Sequence, residues 1–376
     1  MVPGPTPLPP EVLEAAASPI LYARTPEFVE IFEDMLARLG RVFQTESDVL
    51  VFASSGSGAM TSAVENLAAR GEKVLVASCG HFGNRWVSIC KDLGVEALHV
   101  ESEWGHPIDP STLADALETN PDVEVVYVTQ SETSTGAVSD LPALREAAGD
   151  RILVADAVSG LGVVDLPMDA WGIDVVCSGS QKGLMAPPGL GYAAVNERAM
   201  ARRAKLGPRA FYFDWERTQK GQRTSRSAFT PPVTLVAQQR AALERIESES
   251  LAAVFERHRV LGRMCREGVK AAGLELLGPE NPEANVVTAF RVPEGVDGKA
   301  IPKLMRARFG ISMAGGQGKL SGQIGRFGHC GYYGYSDIIT ALGALELVQL
   351  ELDRPIELGS AVGAAQRVMA AAAEIK

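Results

Sequence analysis

IDVVCSGSQKGLMAPPGLGY, residues Ile173 to Tyr192, holds one lysine, and the fate of that lysine decides how the chain is read. The mostly apolar run Ile173 to Cys177 has the length of a buried strand. Ser178, Gly179 and Ser180 close it before a Gly/Pro-rich loop. Lys182 therefore stands at the end of a buried strand. A charged ammonium held there costs several kcal/mol, so the side chain either reaches out to water or stays inside with a lowered pKa. The first fate is the ordinary one for a lysine; the second makes a nucleophile or a base.

The same strand-then-loop pattern recurs outward in both directions. Asp48 to Ala53 (DVLVFA), Lys73 to Ala77, Val123 to Thr129 (VEVVYVT), Ile152 to Ala155 and Tyr192 to Val195 are strand signals. Helical patterns alternate with them at Ala59 to Ala69, Trp86 to Leu93 and Leu141 to Ala148. Short apolar strands alternating with helices predict a mostly parallel α/β sheet covered on both faces. From Thr234 to about Ala272 the pattern is helical. A smaller α/β region follows, with a strand at Val286 to Arg291, helices at Lys299 to Phe309 and Ser336 to Leu350, and a closing helix at Gly359 to Lys376. The start, MVPGPTPLPP, predicts an extended arm. The expected division is an arm over 1–25, a large domain over 26–255 and a small domain over 256–376.

The 376 residues carry a formal charge of −10 with no dense Lys/Arg run, which argues against nucleic acid as a partner. No apolar run reaches membrane-spanning length, and the first residues lack the basic leader and apolar core of a secretory signal. Five scattered cysteines, without CxxC or HxxxH spacing, fit reduced thiols in a cytoplasm and predict no metal site.

Ligands of open α/β sheets bind beyond the carboxyl ends of the strands, so the residues just after each strand carry the chemistry. Ser55-Gly56-Ser57-Gly58-Ala59 opens a helix, where free N–H groups attract phosphate, although Gly-Ser-Gly is also a plain turn. Asp156 ends ILVAD; such a residue caps helices, but a buried carboxylate also stabilises a protonated ring nitrogen. Phe82 can cover one face of a flat ring and Val158 the other.

A phosphate turn, a ring platform, a carboxylate and a lysine together match one cofactor, pyridoxal 5′-phosphate. The chain resembles the class V aminotransferases of the fold type I pyridoxal-phosphate enzymes, in particular the alanine–glyoxylate, serine–glyoxylate and serine–pyruvate branch. The resemblance rests on GPTPLPP (Gly4 to Pro10), RTPEF (Arg24 to Phe28), SGSGAM (Ser55 to Met60), HFGNRW (His81 to Trp86) and SETSTG (Ser131 to Gly136). It continues through DAVSGLG (Asp156 to Gly162), SGSQKGLMAPPGLG (Ser178 to Gly191), AGGQG (Ala314 to Gly318) and GRFGHCG (Gly325 to Gly331).

The resemblance implies a large domain with a mostly parallel seven-stranded sheet, a small C-terminal α/β domain, and a homodimer whose active site lies at the subunit interface. Lys182 would hold the cofactor as a Schiff base and then move the substrate's α-proton. Asp156 would pair with the pyridine nitrogen, and Thr133 would lie near the ring hydroxyl. Ser57, Gly58, Ala59 and Gln181 would hold the phosphate, joined by Thr230 of the partner subunit. Arg326 would fork onto the substrate carboxylate. The implied reaction is a ping-pong transfer from serine or alanine to glyoxylate or pyruvate.

The chain departs from its relatives at Ser227, where a tyrosine is common, and at Phe82, where animal alanine–glyoxylate enzymes carry tryptophan and cysteine desulfurases histidine. Two other readings keep the cofactor. A 2-aminoethylphosphonate–pyruvate aminotransferase would need an extra cation, from Arg85, Arg223 or Arg226; a pyridoxal-phosphate lyase is the other. A hydrogenase-associated electron-transfer or interaction subunit finds no cysteine spacing for a cluster. A nicotinamide dehydrogenase lacks its glycine fingerprint. Tyr22, Tyr212 and Gln317 are candidate pocket side chains.

Overall fold

The structure, a computed structural model, describes residues 1–224 and 227–374. Arg226, one candidate phosphonate cation, lies outside the described residues, as do the last two positions of the expected closing helix, Ile375 and Lys376.

Seven segments pair into one sheet: β1 (Asp48–Ala53), β2 (Lys73–Ser78), β3 (Glu96–Glu101), β4 (Val125–Thr129), β5 (Ile152–Asp156), β6 (Val175–Gly179) and β7 (Leu190–Val195). Their order is β1-β7-β6-β5-β4-β2-β3. β7 pairs antiparallel with both of its neighbours, β1 and β6, and every other pairing is parallel. β1 therefore runs the same way as β6. The carboxyl ends of β1, β2, β4, β5 and β6 all meet at one edge, and register sets Asp156 beside Thr129 on one side and Cys177 on the other.

Alternate residues of each central strand face opposite layers, as the two-residue period requires. Val125, Tyr127 and Val154 pack with Met60, Val64 and Trp86; Val126, Val128 and Leu153 pack with Phe32, Leu39 and Leu144. Burying each such side chain stabilises the fold by roughly 1.5–3 kcal/mol. Among the helices over these faces are α1 (Pro10–Ala17), α2 (Pro26–Phe43), α3 (Gly56–Leu67) and α4 (Gly83–Leu93).

β3 carried no sequence signal. Its sequence EALHVE lies at the sheet edge with one neighbour, so none of its residues is fully buried and no apolar run forms. The extended arm is corrected at residues 10–17, where Pro10 occupies the first helical position and starts α1, a place where a missing N–H costs nothing. The long helix expected from Thr234 is two, Val233–Glu249 and Leu251–Ala271, split at Ser250, which takes φ +71° and caps the second through Ala253 N–H.

Downstream, Val287–Arg291, Ile324–Gly328 and Ala314–Gly315 form a separate antiparallel sheet with Ile324–Gly328 at its centre. It packs with the 251–271 helix around Leu261, Met264, Phe290, Phe327 and Leu345. The chain start bridges the two sheets: Gly328 N–H donates to Met1 O at 3.1 Å, and Thr6 N–H donates to Gln181 O at 3.1 Å. No described helix is long and apolar enough to cross a membrane.

Candidate active site

Lys182 sits in the turn that leaves β6. The turn is held from several sides: Ser180 N–H donates to Leu190 O, Met185 N–H to Lys182 O, and the Thr6 hydroxyl to Lys182 O at 3.1 Å. Its aliphatic stem lies against the backbone of Gly4. A Cβ on Gly4 would come within 2.6 Å of Lys182 Cδ, and Gly4 has φ +139°, so both space and conformation require glycine there. The ammonium lies 6.0 Å from the centre of the Phe82 ring. Burial lowers its pKa; Cys330 and Asp156 oppose that effect, while the positive charges of Arg326 and Arg85 add to it.

Asp156, the last residue of β5, is 5% exposed. It caps no helix. Its Oδ1 accepts the Val158 N–H at 2.8 Å. Burial pushes its pKa up to about 6; the Val158 N–H and the charges of Arg85 and Lys182 pull down, and that of Glu132 pushes up. No ion pair within 4 Å satisfies it among the described residues. A buried carboxylate without a cation suits a partner that brings its own positive charge.

Phe82 precedes α4, and a buried carboxylate fixes it. Glu132 Oε2 accepts the N–H groups of Phe82 and Gly83 at 3.0 and 2.8 Å; its Oε1 accepts the N–H and hydroxyl of Ser134 at 2.9 and 2.6 Å. A Cβ on Gly80 would strike Glu132 Cγ at 2.4 Å. Val158 packs beneath α3, where a Cβ on Gly56 would come within 2.5 Å of it. α3 begins without a side-chain cap and without an acidic residue in its first turn, leaving N–H donors of Gly56 and Ser57 to face an anion. Arg85 reaches from α4 to the Ser57 hydroxyl at 2.8 Å. Gln181 keeps a buried amide oxygen without a partner.

Arg326, 3% exposed, comes from the second sheet. Its Nε donates to Gly315 O at 2.9 Å and a terminal nitrogen donates to Thr133 O. Thr133 itself is buried. Burial lowers the Arg326 pKa to about 10, partly offset by Glu132, and no carboxylate of a described residue pairs with it directly. Two histidines hold the turn that follows. Gly331 N–H donates to His258 Nε2 at 2.9 Å, and His329 lies between Asn285 O and the Thr288 hydroxyl at 3.0 Å each.

The structure thus gathers Lys182, Asp156, Phe82, Val158, Gln181, Thr133, Arg326 and the α3 start at one edge. It does not bring Thr230 there. Thr230 is exposed and borders a separate depression with Phe52, Tyr212, Ser227 and Phe229. Tyr22 is exposed, Tyr212 stacks on Phe229 at 4.7 Å, and Gln317 has a buried unpartnered oxygen beside Gly318, which packs on Trp104. The sequence assigns no role to Glu132 or to Gly4 and Thr6, although SETSTG and GPTPLPP carry them. The only signal for Glu132 was a carboxylate in a hydroxyl-rich turn just after a fully apolar strand.

Comparison with known proteins sets this geometry in context. The sequence model of the family described as "Aminotransferase class-V" matches residues 3–323. Among curated relatives, the chain is 39% identical to the "Soluble hydrogenase, small subunit" of Synechococcus sp. (strain PCC 6716), covering 99% of this chain and 98% of that one. It is 34% identical to the serine–glyoxylate aminotransferase of Methylorubrum extorquens, covering 97% and 94%. Among solved structures, the ureidoglycine–glyoxylate aminotransferase of Bacillus subtilis superposes with a TM-score of 0.93 at 29% identity, over 98% of this chain and 97% of that one.

Proposed function

The chain belongs to the class V aminotransferase family, enzymes of fold type I that depend on pyridoxal 5′-phosphate, and on that premise we propose that it carries an amino group from serine or alanine to glyoxylate or pyruvate. The observation that carries this reading is Arg326: a buried guanidinium, unpaired by any described carboxylate, at the same edge as a buried lysine and a buried aspartate. The glyoxylate in the names of two relatives supports a small 2-oxo acid as acceptor.

The residues present fit the cofactor. Ser57, Gly58, Ala59 and the side-chain NH2 of Gln181 would hold its phosphate, with Thr230 of the partner subunit completing the cup. Asp156 would face the ring nitrogen and Thr133 the ring hydroxyl, while Phe82 and Val158 would cover the two faces. Bound there, the cofactor supplies an electron sink for the bond-breaking carbon. Lys182 would anchor it, and burial, which lowers the lysine pKa, would favour the free amine form needed for proton transfer. It then takes the proton from the substrate Cα and returns it on the far side of the transfer. Arg326 forks onto the substrate carboxylate and fixes which face of Cα the lysine meets. Glu132 keeps the Phe82 platform in place.

A homodimer belongs to the same reading, supported by the exposure of Thr230 on a depression apart from the Lys182 turn. The division at about residues 25 and 255 and a cytoplasmic setting for five buried free thiols belong to the same reading. An aminoethylphosphonate donor has less support: Arg223 pairs with Asp48 at 2.8 Å, and Arg85 points at Ser57. An electron-transfer role, the one suggested by the Synechococcus relative's name, leaves the lysine, aspartate and arginine without a task.

Titrating the holoenzyme with serine, alanine, aspartate and 2-aminoethylphosphonate tests the proposal. Serine or alanine should bleach the visible cofactor band, and glyoxylate or pyruvate should restore it. A response to aminoethylphosphonate alone, or to none of the four, overturns the substrate assignment.

A further inference from the structure

Arg85 has no place in the roles above, yet its surroundings are specific. Its guanidinium donates to Ser57 Oγ at 2.8 Å and lies 4.8 Å from the centre of the Phe82 ring. No carboxylate of a described residue pairs with it within 4 Å. α4, which carries it, is fixed at its start by the two hydrogen bonds to Glu132, so the guanidinium is aimed from a rigid base.

Donor counting decides what this arrangement awaits. A guanidinium has five N–H donors and no acceptor, and a serine hydroxyl has a single hydrogen to give. When Ser57 Oγ accepts from Arg85, its own O–H is left to point elsewhere, and no described residue takes it. The neighbouring first turn of α3 adds further N–H donors without an acidic residue or a side-chain cap. Apart from the Gln181 amide oxygen, the polar groups gathered here are donors, with one full positive charge among them. A group rich in acceptors and negative charge satisfies all of them together.

We propose that Arg85 is an anion-binding residue of this cup: it neutralises the cofactor's phosphate and orients the Ser57 hydroxyl toward it. The proposal rests on the reading that the α3 start receives the phosphate. It also explains why Arg85 is not free for a phosphonate substrate. Its stacking on Phe82 is secondary, because a half-exposed cation–ring contact is weaker than a charge-assisted hydrogen bond to phosphate.

The test compares two forms of the cofactor on the apoenzyme, pyridoxal 5′-phosphate and pyridoxal, which share the ring and the aldehyde but differ in the phosphate. Binding is followed by absorbance and by quenching of protein fluorescence. In Arg85→Gln the dissociation constant for pyridoxal 5′-phosphate should rise roughly 10- to 100-fold. That for pyridoxal should stay unchanged, which also reports an intact fold. Arg85→Lys should fall between, and competition by inorganic phosphate against the cofactor should weaken in parallel. Equal weakening of both ligands would show that Arg85 acts through the Phe82 ring, and no weakening of either would show that it does not act; both overturn the proposal. A wild-type protein that binds the two ligands equally well would instead remove the phosphate cup itself, a separate failure read before any variant is made.

Discussion

Around Lys182 the chain closes on itself, whereas around Thr230 it faces outward. Gly4 and Thr6 from the chain start and Leu190 from beyond the loop hold the lysine turn from two separate parts of the sequence. Near Thr230, by contrast, Phe211 is 70% exposed and Tyr212 39%, and their rings contact mainly Phe229 and each other's neighbours. Apolar rings left open beside a polar ligand candidate mark a surface that is covered in use. On the proposed reading, one half of the site lies within the chain and a second copy would supply the other.

The most severe break of this contrast is Lys182→Ala. Transamination should fall about a thousandfold or more, with loss of the visible band. Mixing that variant with Thr230→Ala, itself weakened about tenfold for the cofactor, should at limiting cofactor give activity of about a quarter of wild type, since about half of randomly mixed dimers are mixed and each has one intact site. A mixed dimer places an intact Lys182 opposite an intact Thr230 at one of its two sites. No recovery on mixing would put Thr230 to work in its own chain.

Arg326→Lys comes next. Loss of the fork should raise KM for both amino and 2-oxo acids roughly 10- to 100-fold, with a smaller change in kcat. A KM that moved for one substrate alone would deny a shared carboxylate anchor.

The smallest effect concerns the turn after Arg326. Burial holds His258 and His329 down to about 3. Below their ordinary value near 6.5 the unfolded chain takes up protons that the folded chain refuses. Their contribution is therefore complete above that pH and is lost as pH falls toward 3. Asp156 works in the opposite sense: raised to about 6, it binds its proton more tightly when folded, which costs stability as pH rises from 3.8. The net expectation for apoenzyme is a loss of about 2–3 kcal/mol between about pH 7 and about pH 5, read from urea midpoints. The variant His258→Asn should flatten that slope by about three quarters, because the opposing Asp156 then offsets most of what His329 alone contributes.

Much of this was legible beforehand because burial writes itself locally. Val125 to Thr129 and Ile152 to Asp156 are fully buried strands and read as such, and the residues just beyond their ends were the right ones to inspect. β3 was silent, since an edge strand needs no apolar run, and α1 was hidden by prolines that ordinarily signal extension.

The sequence by itself determined which segments are buried and which reactive side chains follow them, since a strand's apolar pattern depends only on its nearest residues. Only the tertiary structure decided what those side chains touch. Glu132 meets Phe82 across 50 positions, Thr6 meets Lys182 across 176, and Arg326 meets Thr133 across 193. A polar atom's partner is set by where distant segments pack, and no local period encodes that distance.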